Sequence, residues 1–195
     1  MADKIYRNGV RRVFQWSWNT NKGGDLPIPL THVMDMLEEM AGGTRLSVET
    51  SHTSEEDHLG CVAAEKGDRV LLIVFRHLSV RANGEKVPVR LTLDGDSLGK
   101  KKWTVTRANL LDGEHAGFMG ERNADMKQAR AKAGDQAKPY AITLKKVMTV
   151  HQAKYERMSK LHSLHPLPNL TNDSSGRMHF DMTMDGHTVV LLQLE

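Results

Sequence analysis

Trp16 and Trp18 are the residues whose type and spacing most directly suggest a ligand. They lie in the segment RRVFQWSW, residues 11–18, where β-branched and aromatic residues alternate with polar ones as in a β-strand. On a strand, residues i and i+2 project from the same face, so the two rings would lie side by side. Aromatic faces stack on sugar rings, which makes the pair a candidate carbohydrate-binding platform. The alternative is that both rings are buried against a neighbouring helix, as large aromatic side chains commonly are.

The ten histidines are the potential metal ligands of the sequence. The closest spacing is His162-x-x-His165, with His151 about one helix earlier. A zinc site needs three or four closely placed ligands, and the single cysteine, Cys61, lies in a predicted strand far from these histidines in the sequence. We therefore predict no metal site and no cofactor, and we interpret the histidines as scattered surface residues.

Acidic residues form two groups, the pair Glu38 and Glu39 and the run at residues 55–57. Glycoside hydrolysis uses two carboxyl groups that flank the scissile bond. Nothing in the sequence places two carboxylates across a cleft, because the pair is adjacent on the polar side of a predicted helix and the run is a loop. No G-x-S-x-G elbow, Walker loop or G-x-G-x-x-G fingerprint occurs. We predict no catalytic residues and do not expect the chain to act as an enzyme by itself.

Charge and hydropathy exclude several classes of partner. The 27 basic and 24 acidic residues are spread along the whole chain, which is unlike the concentrated basic surface of a nucleic-acid-binding protein. The longest apolar run, residues 70–75, is far too short to cross a membrane. Residues 1–8 are polar and unlike a signal peptide. We predict a soluble protein without a nucleic-acid or membrane partner, either cytoplasmic or exported as part of a larger protein.

An amphipathic helix over residues 27–43 is the first element expected behind the tryptophan segment. Thr31 is placed to cap its start, and Gly42 and Gly43 would end it. Its apolar residues recur with a period of about 3.6: Leu30, Val33, Met34, Leu37, Met40 and Ala41.

A period of two follows the helix and persists for most of the chain. Strands are predicted over residues 44–49, 60–65, 69–76, 87–93 and 103–110. Residues 177–184 and 187–194 would form a closing hairpin around Asp185-Gly186. Residues 114–133 and 147–164 are predicted helical insertions. A β meander that ends on a hairpin predicts an antiparallel β-sandwich.

The order of strand, helix and β meander resembles the C-terminal region of clan-A glycoside hydrolases. In those enzymes the last strand and helix of a (β/α)8 barrel lead directly into a β-sandwich. The segment VFQWSWN, residues 13–19, resembles the eighth barrel strand, and residues 31–43 resemble the last barrel helix. The segment CVAAEKGDRVLLIVF, residues 61–75, is similar to the opening of such a sandwich.

The second half is similar to glycoside hydrolase family 39, the β-xylosidase and α-iduronidase group. RANLLDGEHAGF, residues 107–118, resembles that family's R-x-D-x-x-H-S-N-x-Y segment. His115 keeps its place in the motif, Gly117 replaces the expected Asn, and Phe118 stands near the expected aromatic residue. Residues 182–194 resemble the closing hairpin, while the front half is equally similar to agarase and porphyranase relatives.

The resemblance implies a mostly β fold in two parts. Residues 1–43 would be a barrel-remnant strand and helix, and residues 44–195 an antiparallel β-sandwich accessory domain with one or two helical insertions. In clan-A barrels the two catalytic carboxylates lie on the fourth and seventh strands, so a chain that begins at the eighth would lack both.

The implied function is that of a non-catalytic portion or subunit of a polysaccharide-acting glycoside hydrolase. Its partner would be a catalytic barrel chain or domain, and we expect it to form an oligomer. Two alternatives stay open. One is a stand-alone carbohydrate-binding module that uses Trp16 and Trp18, and the other is a structural or oligomerisation domain without a ligand.

Overall fold

The computed structural model describes residues 26–50, 54, 56–79, 85–94, 103–112, 115–174 and 177–195. The predicted strand at residues 11–18, with Trp16 and Trp18, lies outside these ranges. The helices within them are α1 (Pro29–Met40), α2 (Met119–Ala133), α3 (Tyr140–Val150) and α4 (Gln152–Ser159). The strands are β1 (Thr44–Arg45), β2 (Asp57–Lys66), β3 (Arg69–Leu78), β4 (Val87–Leu93), β5 (Val105–Leu111), β6 (His162–Ser163), β7 (Thr171–Asn172), β8 (Met178–Met184) and β9 (Thr188–Leu194).

The described part of the chain is a β-rich domain built mostly from antiparallel sheet. A six-stranded sheet has the order β1-β2-β3-β9-β5-β6, and a three-stranded sheet has the order β4-β8-β7. The longest pairing joins β2 to β3 from Asp57↔Leu78 to Lys66↔Arg69. Gly67, with φ 66°, allows the tight turn between these two strands.

The predicted closing hairpin is wrong. β8 pairs with β4 and β7, whereas β9 pairs with β3 and β5 in the other sheet. The difference in burial explains the separation. Side chains of β8 alternate between buried and more exposed positions, but β9 carries three successive buried residues, Val190, Leu191 and Leu192. Such a strand needs cover on both faces and therefore lies inside the larger sheet.

The facing sides of the two sheets share one hydrophobic cluster. Val70, Leu72 and Val74 of β3 contribute from the larger sheet, and Phe180 and Met184 of β8 from the smaller one. Every one of these five side chains is buried. Burial of this kind is the dominant favourable term in folding, so this shared cluster stabilises the described domain.

α1 belongs to a second cluster on the opposite face of the six-stranded sheet. Its side chains Met36 and Met40 are buried together with Leu71, Ile73 and Leu191. The predicted amphipathic helix is therefore confirmed.

The predicted cap of that helix is wrong. The N-cap is Ile28, which makes no side-chain capping bond, and Pro29 takes the first helical position. Because proline favours that position, the helix begins before Thr31, which lies inside the first turn. Gly42, with φ 78°, follows the end of the helix as expected.

The remaining helices form a third cluster around Phe118 and Tyr155, both fully buried. The predicted insertion at residues 114–133 corresponds to α2. The insertion predicted at residues 147–164 is two helices, α3 and α4, and it begins earlier, at Tyr140. Tyr140 and Ile142, in the first turn of α3, are exposed. None of the helices in the described ranges is long and apolar enough to cross a membrane.

Candidate functional site

The histidines that the sequence grouped are not brought together as metal ligands. His151 lies between α3 and α4, with its ring 5.8 Å from that of Tyr155. His162 on β6 lies against His115 instead, with ring centroids 4.1 Å apart. Within the described ranges, no group of three or more His, Cys, Asp or Glu side chains is arranged to hold a metal ion.

His115 forms a carboxylate–imidazole dyad with Asp112. The Nδ1 atom of His115 lies 2.8 Å from Oδ1 of Asp112, and the backbone N–H of His115 donates to the same oxygen at 2.7 Å. Because a carboxylate accepts hydrogen bonds, Nδ1 carries the proton and Nε2 is left as the acceptor of the ring. The Asp112–His115 dyad thus has a fixed ring orientation and a basic nitrogen that points away from the carboxylate.

Three elements position the dyad. Asp112 directly follows β5, and Ala116, with φ 60°, turns the chain towards α2. Phe118, with its ring 5.6 Å from that of Tyr155, anchors the end of this segment in the helical cluster. A Cβ added at Gly117 would lie 3.7 Å from Pro29 Cγ, so the same segment runs close to the start of α1.

The dyad can accept a hydrogen bond from a bound group. The side chain of His115 is 33% exposed and that of Asp112 is 11% exposed, so the imidazole is reachable while its carboxylate partner is largely shielded. A carboxylate in this position holds an imidazole in one tautomer, as in general-base sites. Sequence reasoning reached His115 only through a family resemblance, although the spacing Asp-x-x-His is itself typical of a turn with a side-chain bond.

A second polar group lies on the outer face of the three-stranded sheet. Arg90 donates two hydrogen bonds to Asp181, at 2.7 and 2.9 Å, and these bonds raise the pKa of Arg90 and lower the pKa of Asp181. Beside them, His179 lies 3.1 Å from the Thr92 hydroxyl and 2.8 Å from Asp173. We call these five residues the outer polar face. Sequence reasoning missed it because its pairs depend on the β4–β8 register, in which Arg90 faces Asp181 and Thr92 faces His179.

A cavity of about 630 Å³ lies beside β4, between that strand and the segment that follows β1. Its lining is partly apolar, with Leu46, Val48, Leu59, Val89 and Leu91. The cavity and the outer polar face share β4, so one strand borders both a recess and a polar surface.

Comparisons with known proteins show a structural likeness but no match in sequence. No protein-family model matches the chain, and no curated protein matches it. Among solved structures, the GH39 enzyme from Xanthomonas axonopodis pv. citri aligns with a TM-score of 0.44 at 12% sequence identity. The alignment covers 86% of this chain and 30% of that enzyme chain, so the protein spans less than a third of its length.

Proposed function

We propose that this chain is the non-catalytic β-sandwich portion, or a separate subunit, of a polysaccharide-acting glycoside hydrolase. In this proposal residues 1–43 supply the last strand and helix of the catalytic barrel. Residues 44–195 form the sandwich that stabilises it. The two catalytic carboxylates would then belong to the partner barrel.

One observation carries the proposal. The first described residues, 26–40, are attached to the six-stranded sheet and to the helical cluster by hydrophobic contacts. Met36 of α1 is 1% exposed on the outer face of the six-stranded sheet. Directly before the helix, Leu26 and Ile28 pack against the third cluster, around Phe118. A segment held by two hydrophobic clusters is a firm attachment for whatever precedes it, and a barrel strand at residues 11–18 would be held in this way.

The Asp112–His115 dyad fits a role at the same attachment. A Cβ added at Gly117 would lie 3.7 Å from Pro29 Cγ, so the dyad segment runs close to the first residue of α1. An oriented Nε2 acceptor beside the attachment point would receive a hydrogen bond from the barrel and help to set the angle between the two parts.

The experiment is a reconstitution with the barrel that the same gene region encodes, whether contiguous or adjacent. That barrel is expressed with and without this chain, and size-exclusion chromatography with light scattering measures their association. We expect a one-to-one unit and a higher melting temperature of the barrel in the presence of the chain. A barrel with eight strands of its own, the same melting temperature and no association would overturn the proposal.

Carbohydrate binding is the second candidate, and the outer polar face favours it. Its exposed, mutually fixed hydrogen-bonding groups are of the kind that bind sugar hydroxyls, and Trp16 and Trp18 would add the stacking platform. The third tryptophan, Trp103, is 6% exposed and packs in the core, which makes it a natural control.

Tryptophan fluorescence during titration with soluble oligosaccharides tests this candidate. We expect a saturable shift that Trp16→Ala and Trp18→Ala remove and Trp103→Phe retains. No shift in the original chain, or a shift that only Trp103→Phe removes, rejects the platform. Circular dichroism of each variant distinguishes lost binding from lost folding.

A further inference from the structure

The fold brings together two histidines that lie 110 residues apart in the sequence. His77 is near the end of β3, and His187 directly precedes β9, which is the neighbouring strand in the sheet. Their Nδ1 atoms are 3.2 Å apart, and their ring planes meet at 62°. Both side chains are exposed, so solutes reach the pair without any opening of the fold.

The distance between the two nitrogens matches one edge of a tetrahedral metal site. With Zn–N bonds of 2.0–2.1 Å, two imidazole nitrogens bound at the tetrahedral angle lie about 3.3 Å apart. A neutral pair can also share an N–H···N hydrogen bond at this separation. Each neutral ring can instead carry its single proton on Nε2, and each Nδ1 atom then presents a lone pair to a metal ion.

The backbone fixes both histidines where they are. His187 has φ 59°, in the left-handed region that residues other than glycine rarely adopt. Arg76, next to His77, donates a hydrogen bond of 3.1 Å to the carbonyl of Met184, which ties β3 to the connection that carries His187. Unusual backbone conformations held by surrounding structure are concentrated at functional sites.

We propose that His77 and His187 bind a divalent late first-row transition-metal ion, with Zn²⁺ as the reference case, through their Nδ1 atoms. Water would fill the positions that the two imidazoles leave open, and within the described residues no third His, Cys, Asp or Glu forms a metal-binding group with them. Such an ion would join β3 to the start of β9. This site is independent of the role proposed for the chain, so either proposal can fail without the other.

Isothermal titration of the chain without a histidine tag, with ZnCl₂ at pH 7.5, tests the proposal. At that pH ordinary imidazoles are mostly neutral and available as ligands. We expect one saturable site. His77→Gln and His187→Asn should each weaken it by about tenfold or more, because even outer-shell partners of a metal contribute this much. Asn is chosen at position 187 because it tolerates the left-handed conformation.

His162→Gln is the matched control, since it alters the other close histidine pair of the described chain and should leave the affinity unchanged. A second measurement needs no variant. Long-range ¹H–¹⁵N spectra of the original chain should show Zn²⁺ shifting the Nδ1 resonances of His77 and His187 and leaving that of His162 in place. No saturable Zn²⁺ binding, unchanged affinity in the His77 and His187 variants, or Nδ1 resonances that do not respond would overturn the proposal.

Discussion

Two ion pairs of the same geometry show how burial decides what a charge contributes. Arg76 donates two hydrogen bonds to Asp57, at 2.9 and 2.8 Å, and Arg90 does the same to Asp181. The side chain of Arg76 is 4% exposed, whereas those of Arg90 and Asp181 are 64% and 61% exposed. Removing the carboxylate leaves a buried guanidinium without its paired charge in the first pair and a hydrated guanidinium in the second.

We predict that Asp57→Ala lowers the free energy of unfolding by about 3–5 kcal/mol. Asp181→Ala is the control, and its effect should be much smaller, because both side chains of its pair are exposed and hydrated. Urea denaturation of both variants at neutral pH measures the two values. Equal losses would show that the burial of Arg76 does not control the strength of its pair.

The hydrogen bond between Tyr155 and Asp125 gives a pH-dependent prediction. The Tyr155 hydroxyl donates at 2.7 Å, and this bond, together with Lys154, lowers the pKa of Asp125. Burial, followed by the same bond, raises the pKa of the tyrosine. A lowered folded-state pKa means that the Asp125 contribution is present above the unfolded pKa of about 3.9 and is lost as the pH falls through the folded value.

Asp125→Asn should therefore reduce the free energy of unfolding by about 1–3 kcal/mol at pH 7. The difference from the original chain should shrink as the pH falls below about 4 and through the lowered folded-state pKa of Asp125, because protonation then removes the charge at this position. Thermal unfolding across this range measures the difference. A gap that stays constant or widens on acidification would contradict the assignment.

The elements differ in how far their sequences specify them. Residues 69–76 read as a strand and the structure contains β3 there, because turn residues bound a run of β-branched and apolar residues. The strands with which β8 and β9 pair could not be predicted in this way. Whether a strand pairs with its sequence neighbour depends on which faces the rest of the fold can cover, and that is a tertiary property.

The β2–β3 pair contains a position where only glycine fits. Gly60 lies opposite Phe75, and a Cβ added there would come within 2.3 Å of Phe75 Cζ. We predict that Gly60→Ala costs about 1–3 kcal/mol of stability, since the ring must move. Gly120 in α2 has nothing within 4 Å of an added Cβ, so Gly120→Ala should stabilise by up to about 1 kcal/mol. Chemical denaturation measures both, and a neutral Gly60→Ala would show that the ring of Phe75 is not fixed over the glycine.

At the scale of the whole molecule, the six-stranded sheet is covered on both faces. The smaller sheet covers one face, and α1 covers the other with Met36 and Met40. The amphipathic pattern predicted α1, but nothing in its sequence identified the surface against which it packs. The Asp112–His115 dyad was likewise only partly predictable. Its two residues are close in sequence, but its position beside α1 depends on the fold.

We predict that Met36→Ala lowers the free energy of unfolding by about 2–5 kcal/mol, because the side chain is 1% exposed and the helix cannot easily close the space. Asp35→Ala, on the exposed side of the same helix, should change it by less than about 0.5 kcal/mol. Equilibrium unfolding followed by circular dichroism compares the two. A nearly neutral Met36→Ala would mean that α1 is not firmly attached to the sheet, and it would remove the observation on which the proposed function rests.

We propose that this chain contributes structure, and not catalysis, to a glycoside hydrolase. The most direct measurement is the hydrolysis of polysaccharides and aryl glycosides by the purified chain alone and by its reconstituted complex with the barrel. We predict no turnover by the chain alone and turnover by the complex, unchanged in rate by His115→Gln at saturating substrate. Turnover by the chain alone that His115→Gln abolishes would contradict the claim and make the Asp112–His115 dyad a catalytic site.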